Sequence, residues 1–379
     1  MIPGAEIEAS ILKPAHKSEA ENFRSRLERL RKFLFTQPVE ALLVTHPPNI
    51  FYLCGFTGSS GVLLVEAGRA TLFTDNRYTV QAWAEVHGAE VEITGKSSLV
   101  AAGARLASLR GRVRAGFAPE QVTVQQSTVV SQAAGKRVRW TPVAGAVEGL
   151  RGVKDAGEIA MIREAAILAG RVWVSVLKLV KPGVTEIELA AEIEYGMRMG
   201  GATGPAFDTI VASGPRAALP HGRASAKPLE KNELVVFDLG AILRGYCSDI
   251  TRTVYLGRAP RKIKGWYAAV LEAQEAARAA VKSGVTAGEV DAAARRVLER
   301  RRLGKRFTHS TGHGLGIEVH EAPRLARGDQ SRLAAGNVIT IEPGVYIEGT
   351  GGIRIEDDVW VQDGGAETLS QARRELLEL

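Results

Sequence analysis

The chain has 379 residues, of which 45% are apolar and 24% charged, a balance that excludes a mostly disordered protein and allows two domains with separate cores. Its formal net charge of +7 is spread along stretches such as ENFRSRLERLRKFL, and aromatic residues make up only 6%. Because nucleic-acid binding favours a basic stripe with interleaved aromatics, we expect no nucleic-acid partner.

The N-terminal segment and the cysteines indicate where the protein works. MIPGAEIEASILKPAHKSE lacks the continuous apolar core of an export signal, and no run of about 18 apolar residues predicts a membrane span. The two cysteines, Cys54 and Cys247, imply no disulfide framework and favour a reducing compartment. We therefore interpret residues 1–17 as an N-terminal extension and expect a cytoplasmic protein.

Residues 18–145 are predicted to form an α/β domain. Residues 18–37 have the pattern of an amphipathic helix, and short apolar runs then alternate with helical patterns. The predicted strands are ALLVT, NIFYLCGF, GVLLVE and ATLFT, and the predicted helices are 77–86, 97–109 and 119–134. We find no metal-like cluster in this domain and interpret His46, which precedes two prolines, as a loop residue.

Residues 146–155 contain glycines and charged residues ahead of a long helical pattern, and they are predicted to link this domain to an α+β domain at 156–379. The predicted helices are 156–180, 187–199, 262–282 and 287–302. The predicted strands are LVVFDLGAIL, YCSDITRTVYL, NVITIEPGVYI and GIRIEDDVWV, which are rich in β-branched and aromatic residues.

Two acid pairs lie in these strands. Asp238 and Asp249 are symmetric about the midpoint of Leu243 and Arg244, so a tight hairpin would make them opposite or nearly opposite neighbours. Glu342 and Glu356 are likewise symmetric about Gly349. Acids that face each other destabilise a hairpin unless a cation lies between them. The alternative, that all four acids are ordinary solvent-facing surface residues, is therefore the weaker interpretation. Two divalent cations would supply the missing charge.

Asp357 and Asp358 follow Glu356 directly, and we interpret them as solvated or supporting acids rather than ligands.

The run HSTGHGLGIEVHE contains His309, His313 and His320. Its glycines argue against a helix, so the spacing is not the HExxH zinc signature, and GHGLGI lacks the third glycine of a dinucleotide site. Neutral His313 could ligate a metal, and His309 and His320 could hold substrate or transfer protons.

Two further residues are candidates for the same site. His221 in LPHGRAS could be a loop residue or a functional one. Arg354 lies two residues before Glu356, and therefore on the same strand face, where it could neutralise the ligands or bind substrate.

Together these segments resemble the signatures of the proline-specific metallopeptidases of the pita-bread fold, the aminopeptidase P and prolidase family. The matching segments are FDTIVASG with PHG, VFDLG with YCSDITRT, HSTGHGLGIEVHE, ITIEPGVYI and GIRIEDD. LLVTHPPNIFYLCGFTGSSGVLLVE and FTDNRY resemble the creatinase-like N-terminal domain of these enzymes. The resemblance covers essentially the whole chain and implies a C-terminal domain with a curved antiparallel sheet covered by helices.

The resemblance also implies roles for individual residues. The implied dinuclear metal ligands, with Asp249 and Glu356 bridging, are Asp238, Asp249, His313, Glu342 and Glu356. The residues that match substrate-binding or catalytic positions are His221, His309, His320 and Arg354. The implied activity is hydrolysis of the N-terminal Xaa-Pro bond, and we expect a homodimer.

Physical chemistry agrees with these implied roles. Glu342 could accept a proton from the attacking water and return it to the proline nitrogen, and the imidazoles could stabilise the oxyanion. Four oxygen-donor residues against one nitrogen donor favour manganese or cobalt, with zinc also possible.

Rival functions on the same fold are weaker. Methionine aminopeptidases use a similar ligand set, but the large N-terminal domain and the short Glu342–Glu356 hairpin favour the proline-specific branch. Creatinase works without metals, and non-catalytic binding modules would be expected to have lost ligands, whereas all five are present here.

Substrate length is a separate question. Arg324 in HEAPRL could pair with the C-terminal carboxylate of a dipeptide, or it could be a surface salt-bridge residue. We favour dipeptides over longer Xaa-Pro peptides.

Overall fold

The computed structural model describes residues 16–379, and the chain forms two compact units, Met1–Leu150 and Arg151–Leu379. Most of the N-terminal extension predicted at 1–17 lies outside the described residues. Among the described residues, no helix has the length and apolarity needed to cross a membrane.

The first unit is α/β, as expected, with a mixed six-stranded sheet. In spatial order its strands are Glu90–Ile93, Ala70–Thr74, Val62–Glu66, Ala41–Val44, Val113–Phe117 and Val138–Pro142. Its helices are His16–Phe35, Pro47–Cys54, Thr79–Glu85, Ser98–Ser108 and Val124–Ala134, and a short helix, Glu148–Arg151, lies at its end. The first, fifth and sixth of these strands were not predicted from the sequence.

One predicted strand of this unit is wrong. NIFYLCGF lies mainly in the helix Pro47–Cys54, which ends at Gly55 with a φ of 82°. Prolines suit the first turn of a helix, where their missing N–H groups would have no partner. The apolar run is therefore a short buried helix, and hydrophobicity alone does not distinguish it from a strand.

Four long helices of the second unit lie close to their predicted positions. They are Ala156–Val176, Glu186–Met199, Arg261–Ala280 and Ala287–Arg300. Three begin with capping boxes, in which a Thr or Asp side chain and a Glu three residues later satisfy exposed backbone N–H groups. The first helix is shorter than predicted, because a 3-10 turn, Leu177–Leu179, follows Val176.

The strands of the second unit form small, mainly antiparallel sheets, consistent with the expected α+β class. They are Gly204–Pro205, Ile210–Ser213, Glu233–Leu239, Ala241–Leu243, Tyr246–Cys247, Ile250–Leu256, Gly312–Gly314, Glu321–Leu325, Val338–Ile341, Gly344–Ile347, Gly351–Arg354, Asp357–Gln362, Gly365–Thr368 and Leu377–Glu378. The Phe237 ring packs 5.0 Å from Trp173 of the helix Ala156–Val176. Since strand side chains alternate, Asp238 points to the opposite face.

The second acid pair has the predicted register. Ile341 lies opposite Asp357 and Gly344 opposite Arg354, so the register is centred on Gly349 and places Glu342 across from Glu356. Pro343 and a change of sheet interrupt the strands between these pairs without shifting the register.

The first acid pair is displaced from the predicted midpoint. Arg244 and Gly245 have φ values of 50° and 82°, and Leu243 pairs with Tyr246 across this two-residue turn. Asp238 therefore lies opposite Thr251 rather than Asp249. Asp249 is the diagonal neighbour, still within reach of the same cavity.

Trp173 provides a test of this packing. We expect Trp173→Ala to reduce the free energy of unfolding of the second unit by about 3–5 kcal/mol, because it empties a buried site against Phe237. The matched control is Val174→Ala, at the next position on the same helix but 54% exposed. Urea unfolding should separate the variants, and equal midpoints would contradict the assigned packing.

Candidate metal centre

One cavity of about 640 Å³ in the second unit gathers every site residue predicted from the sequence. The predicted residues that line it are His221, Asp238, Asp249, His309, His313, His320, Arg324, Glu342, Arg354 and Glu356. They come from six separate stretches of the chain, so the fold, rather than sequence proximity, concentrates them in one place.

The cavity concentrates negative charge on side chains that are largely buried. Burial, followed by the neighbouring carboxylates Glu356 and Asp238, raises the pKa of Asp249 well above its usual value. Burial and the charges of Glu342 and Asp238 likewise raise the pKa of Glu356. Burial raises the pKa of Glu342 to about 8. Without a cation, Asp249, Glu342 and Glu356 would therefore tend to hold protons rather than share the cavity as anions.

His313 presents a nitrogen lone pair to these carboxylates. Its Nδ1 lies 3.0 Å from the carbonyl oxygen of Gly314, which can only accept, so Nδ1 carries the proton. Burial lowers the pKa of His313 to about 4, so the ring is neutral and Nε2 is unprotonated. Nε2 lies 3.8 Å from Asp249 Oδ2 and 3.7 Å from Glu342 Oε1, beyond hydrogen-bond range.

These contacts fit a divalent cation. One ligand atom each from Asp249, His313 and Glu356 lies within 4.8 Å of the others. Asp238 Oδ1 and Asp249 Oδ1 are buried without a hydrogen-bond partner, which is costly unless something else satisfies them. A metal-binding histidine commonly donates its second N–H to a backbone carbonyl, as His313 does here.

Arg354 provides one fixed positive charge in the cavity. Its Nη2 donates to Asp238 Oδ2 at 2.7 Å, and its Nε donates to Thr251 Oγ1 at 3.0 Å. Thr251 in turn donates to Glu356 Oε2 at 2.6 Å, so one guanidinium orients two of the four carboxylates. Arg354 also donates to the carbonyl of Pro220, the residue before His221. These contacts are those of a counter-ion, and the substrate-binding role, which would not exclude this one, stays a prediction.

A hydrogen-bond chain fixes the proton position on His309. Its Nδ1 lies 2.8 Å from the Ser310 carbonyl oxygen and must donate. Burial lowers the pKa of His309 to about 4, so Nε2 is unprotonated and accepts from the Tyr346 hydroxyl at 2.8 Å. The same hydroxyl accepts from Arg354 Nη1 at 2.8 Å. His309 is therefore a neutral, fully hydrogen-bonded side chain.

The remaining predicted residues form the exposed rim of the cavity. His221, His320 and Arg324 are all exposed, and the His320 ring lies edge-on to His313 at 4.4 Å. Arg324 is the cross-strand partner of His313. The rim thus offers hydrogen-bond donors and a cation above the buried acids.

Sequence reasoning missed two supporting residues, Thr251 and Tyr346, which contact the site through side-chain hydrogen bonds. Thr251 could have been found from its position two residues after Asp249, on the same strand face. Of the two readings given for Asp357 and Asp358, the solvated one is wrong, because both are buried.

Asp357 and Asp358 each support the site through a different contact. Asp358 Oδ2 accepts from the Asp249 N–H at 3.1 Å, and Asp357 pairs with Arg252 at 2.7 Å.

Comparisons with known proteins agree with this geometry. The model of metallopeptidase family M24 matches residues 160–363, and that of the creatinase/prolidase N-terminal domain matches residues 26–153. An Xaa-Pro dipeptidase of Pyrococcus furiosus is 37% identical over 93% of this chain and 100% of its own length.

Solved structures give the same result. An Xaa-Pro dipeptidase from Bacillus anthracis is 39% identical and superposes with a TM-score of 0.91, covering 94% of this chain and 100% of that one. An X-Pro aminopeptidase from Thermotoga maritima is 38% identical with a TM-score of 0.87, covering 93% and 100%. The chain therefore belongs to metallopeptidase family M24, and its first unit is a creatinase/prolidase N-terminal domain of the kind that accompanies the pita-bread fold.

Proposed function

We propose that this protein is a metal-dependent exopeptidase that hydrolyses Xaa-Pro dipeptides. The observation that carries the proposal is the single cavity in which the buried acids and His313 lie beneath a rim of His221, His320 and Arg324. Relatives named Xaa-Pro dipeptidase, similar over nearly the whole chain, support the substrate class.

We assign a pair of divalent cations to the acids and His313, and manganese is our candidate because oxygen donors outnumber nitrogen. Cobalt and zinc are the alternatives. The chemistry that such a pair supplies when bound is polarisation of the scissile carbonyl and a lowered pKa of the attacking water. The proposed ligands are Asp238, Asp249, His313, Glu342 and Glu356.

The protein's own residues move protons and orient the substrate. Glu342, whose pKa is raised by burial, is the proposed acceptor of the proton from water and its donor to the proline nitrogen. The proposed work of His221 and His320 is to donate hydrogen bonds to the substrate carbonyl as it becomes an oxyanion. His309 is already hydrogen-bonded on both nitrogens, so we propose that it holds Tyr346 in place.

Arg324 supports a dipeptide rather than a longer peptide. It is exposed at the cavity rim, whereas Arg223, another rim arginine, is paired with Asp208 at 2.9 Å. An arginine can bind a carboxylate through two parallel hydrogen bonds, so Arg324 is placed to hold the C-terminus of a dipeptide. The second candidate function is Xaa-Pro aminopeptidase on longer peptides, favoured by the similarity to the Thermotoga maritima enzyme.

Substrate length can be tested with protein stripped of metal and reloaded with manganese. We expect hydrolysis of Ala-Pro to exceed that of Ala-Pro-Ala. Arg324→Met should raise KM for Ala-Pro by about ten-fold, the loss of one charge-assisted contact. Arg327→Met, three residues along and exposed, is the control and should change neither value. Preference for the tripeptide would select the aminopeptidase, and inactivity on both peptides would reject the proposal.

The proposed bridging ligands have their own test. Asp249→Asn and Glu356→Gln should each lower kcat/KM by at least about 100-fold and reduce bound metal, because each would remove a charge that the two proposed cations would share. Activity on Ala-Pro and metal content are measured on the same samples. Asp363→Asn and Glu348→Gln, which are exposed, serve as matched controls. Near-normal activity in either ligand variant would rule out its bridging role.

The acids also predict how pH affects the stability of the metal-free protein. Glu342, with a folded pKa of about 8 against an ordinary 4.5, keeps a proton that the unfolded chain loses, and Asp249 and Glu356 shift in the same direction. Their contribution to stability is full at low pH and falls as pH rises towards about 8.

The histidines act oppositely, but only at lower pH. His309 and His313 have pKa values lowered from 6.5 to about 4, so they stabilise the folded state increasingly from about pH 4 to 6.5. Between pH 6.5 and about 8 the acids dominate, and Tm in chelator should fall. Saturating manganese should weaken or reverse the fall, and Glu342→Gln should flatten it. An unchanged Tm across this range in chelator would contradict the raised pKa values.

A further inference from the structure

We propose that Arg151 and Lys154 are positioning residues for the substrate: through Glu321 they fix the loop 316–321 and thereby place His320 at the rim of the cavity. The inference rests on the proposed function, in which His320 contacts the substrate. Arg151 and Lys154 lie in the stretch whose sequence indicated only a linker between domains.

The two cations form an ion cluster with Glu321, which is buried, and with Glu318, whose side chain is 38% exposed. Arg151 Nη2 lies 2.6 Å from Glu321 Oε1 and 2.7 Å from Glu318 Oε2, and Lys154 Nζ lies 3.1 Å from Glu321 Oε2. The side chains of Arg151, Lys154 and Glu321 are 2%, 1% and 6% exposed. Both oxygens of Glu321 are thus held by cations that water does not screen.

The cluster reaches the cavity through Glu321. This residue lines the cavity and directly follows His320. Its Oε1 also accepts from the backbone N–H of Glu318 at 3.1 Å, which closes the loop on itself. A Cβ at Gly316 would lie 2.9 Å from the Glu321 carboxylate, so the loop packs against the cluster with no space to spare. Fixing Glu321 therefore fixes the backbone that carries His320.

The segment that supplies the cations is itself anchored. The Lys154 N–H donates to the Gly336 carbonyl at 2.8 Å, and Asn337 Nδ2 donates to the Gly152 carbonyl at 2.7 Å. Asn337 directly precedes the strand Val338–Ile341, which leads to Glu342. The loop with His320 and the strand that leads to a proposed metal ligand are therefore attached to the same short segment.

The positive charges of Arg151 and Lys154 keep Glu321 ionised and held in place. Burial alone would raise the pKa of Glu321, but Lys154 and Arg151 keep it below its usual value, so the carboxylate stays ionised. A buried carboxylate that loses a cation must move towards water or take up a proton. Either response would release the loop, whereas loss of an exposed ion pair has little structural effect.

Lys154→Met tests the proposal with two independent readouts. We expect faster amide hydrogen exchange across 316–325, measured by mass spectrometry, and a kcat/KM for Ala-Pro lowered on the order of ten-fold, as is typical for residues that orient an active-site group. Bound manganese per chain should stay unchanged. Lys154→Arg, which keeps the charge, should restore both properties.

A double variant separates positioning from general damage. If Lys154 acts through His320, Lys154→Met should cost little further activity in a His320→Ala background, whereas a merely structural role would lower activity equally in both. The control is Arg300→Met, which breaks an exposed ion pair with Glu272 and should change neither exchange nor kinetics. If Lys154→Met does not fold, Lys154→Met combined with Glu321→Gln removes both charges, and 316–325 should still exchange faster.

The outcomes distinguish two failures. Unchanged exchange at 316–325, or fully additive losses with His320→Ala, would overturn the positioning role. Inactivity of the unmodified protein on Xaa-Pro peptides would instead reject the proposed function, and the exchange experiment would still report whether the cluster holds the loop.

Discussion

The structure of the second unit depends on one electrostatic constraint, the placement of four largely buried carboxylates in one cavity. Arg354 neutralises part of this charge by binding Asp238 directly and by orienting Glu356 through Thr251. Burial and the negative charge that remains raise the pKa values of Asp249, Glu342 and Glu356. Divalent cations would resolve the conflict, because the protein leaves Asp238 Oδ1 and Asp249 Oδ1 buried without hydrogen-bond partners.

The surrounding hydrogen bonds hold the side chains of this site in defined orientations without a ligand. Backbone carbonyls set the protonated nitrogen of both His309 and His313, and the low pKa values keep both rings neutral. Tyr346 connects His309 to Arg354, so a histidine, a phenol and a guanidinium form one hydrogen-bonded group. Such preorganisation means that little rearrangement is needed when charge develops during hydrolysis.

The architecture separates packing from chemistry. Strand alternation sends Phe237 towards Trp173 and the helices, and sends the adjacent Asp238 into the cavity. The same sheet can therefore be apolar on one side and densely charged on the other. The buried cluster around Arg151 and Glu321 extends this charged region to a segment far away in sequence. Residues that resemble a linker by composition thus contact the loop beside the active-site cavity.

The sequence by itself determined the fold class, the family and the identity of the residues that meet in the cavity. Local pattern was sufficient where it encodes geometry directly, as in the spacing of Glu342 and Glu356 about Gly349. It was insufficient where several conformations share one pattern. NIFYLCGF is apolar enough for a strand, yet the two prolines that precede it start a helix. Positive φ angles at Arg244 and Gly245 likewise place the first hairpin turn differently from the predicted midpoint.

Only the tertiary structure decided which groups support the site. Thr251 and Tyr346 are ordinary strand residues in the sequence, and Arg151 is separated from Glu321 by 170 positions. Charge and hydrogen-bond capacity can be read from a residue's type, but the partner that satisfies them depends on which distant segments the folded chain brings within about 3 Å.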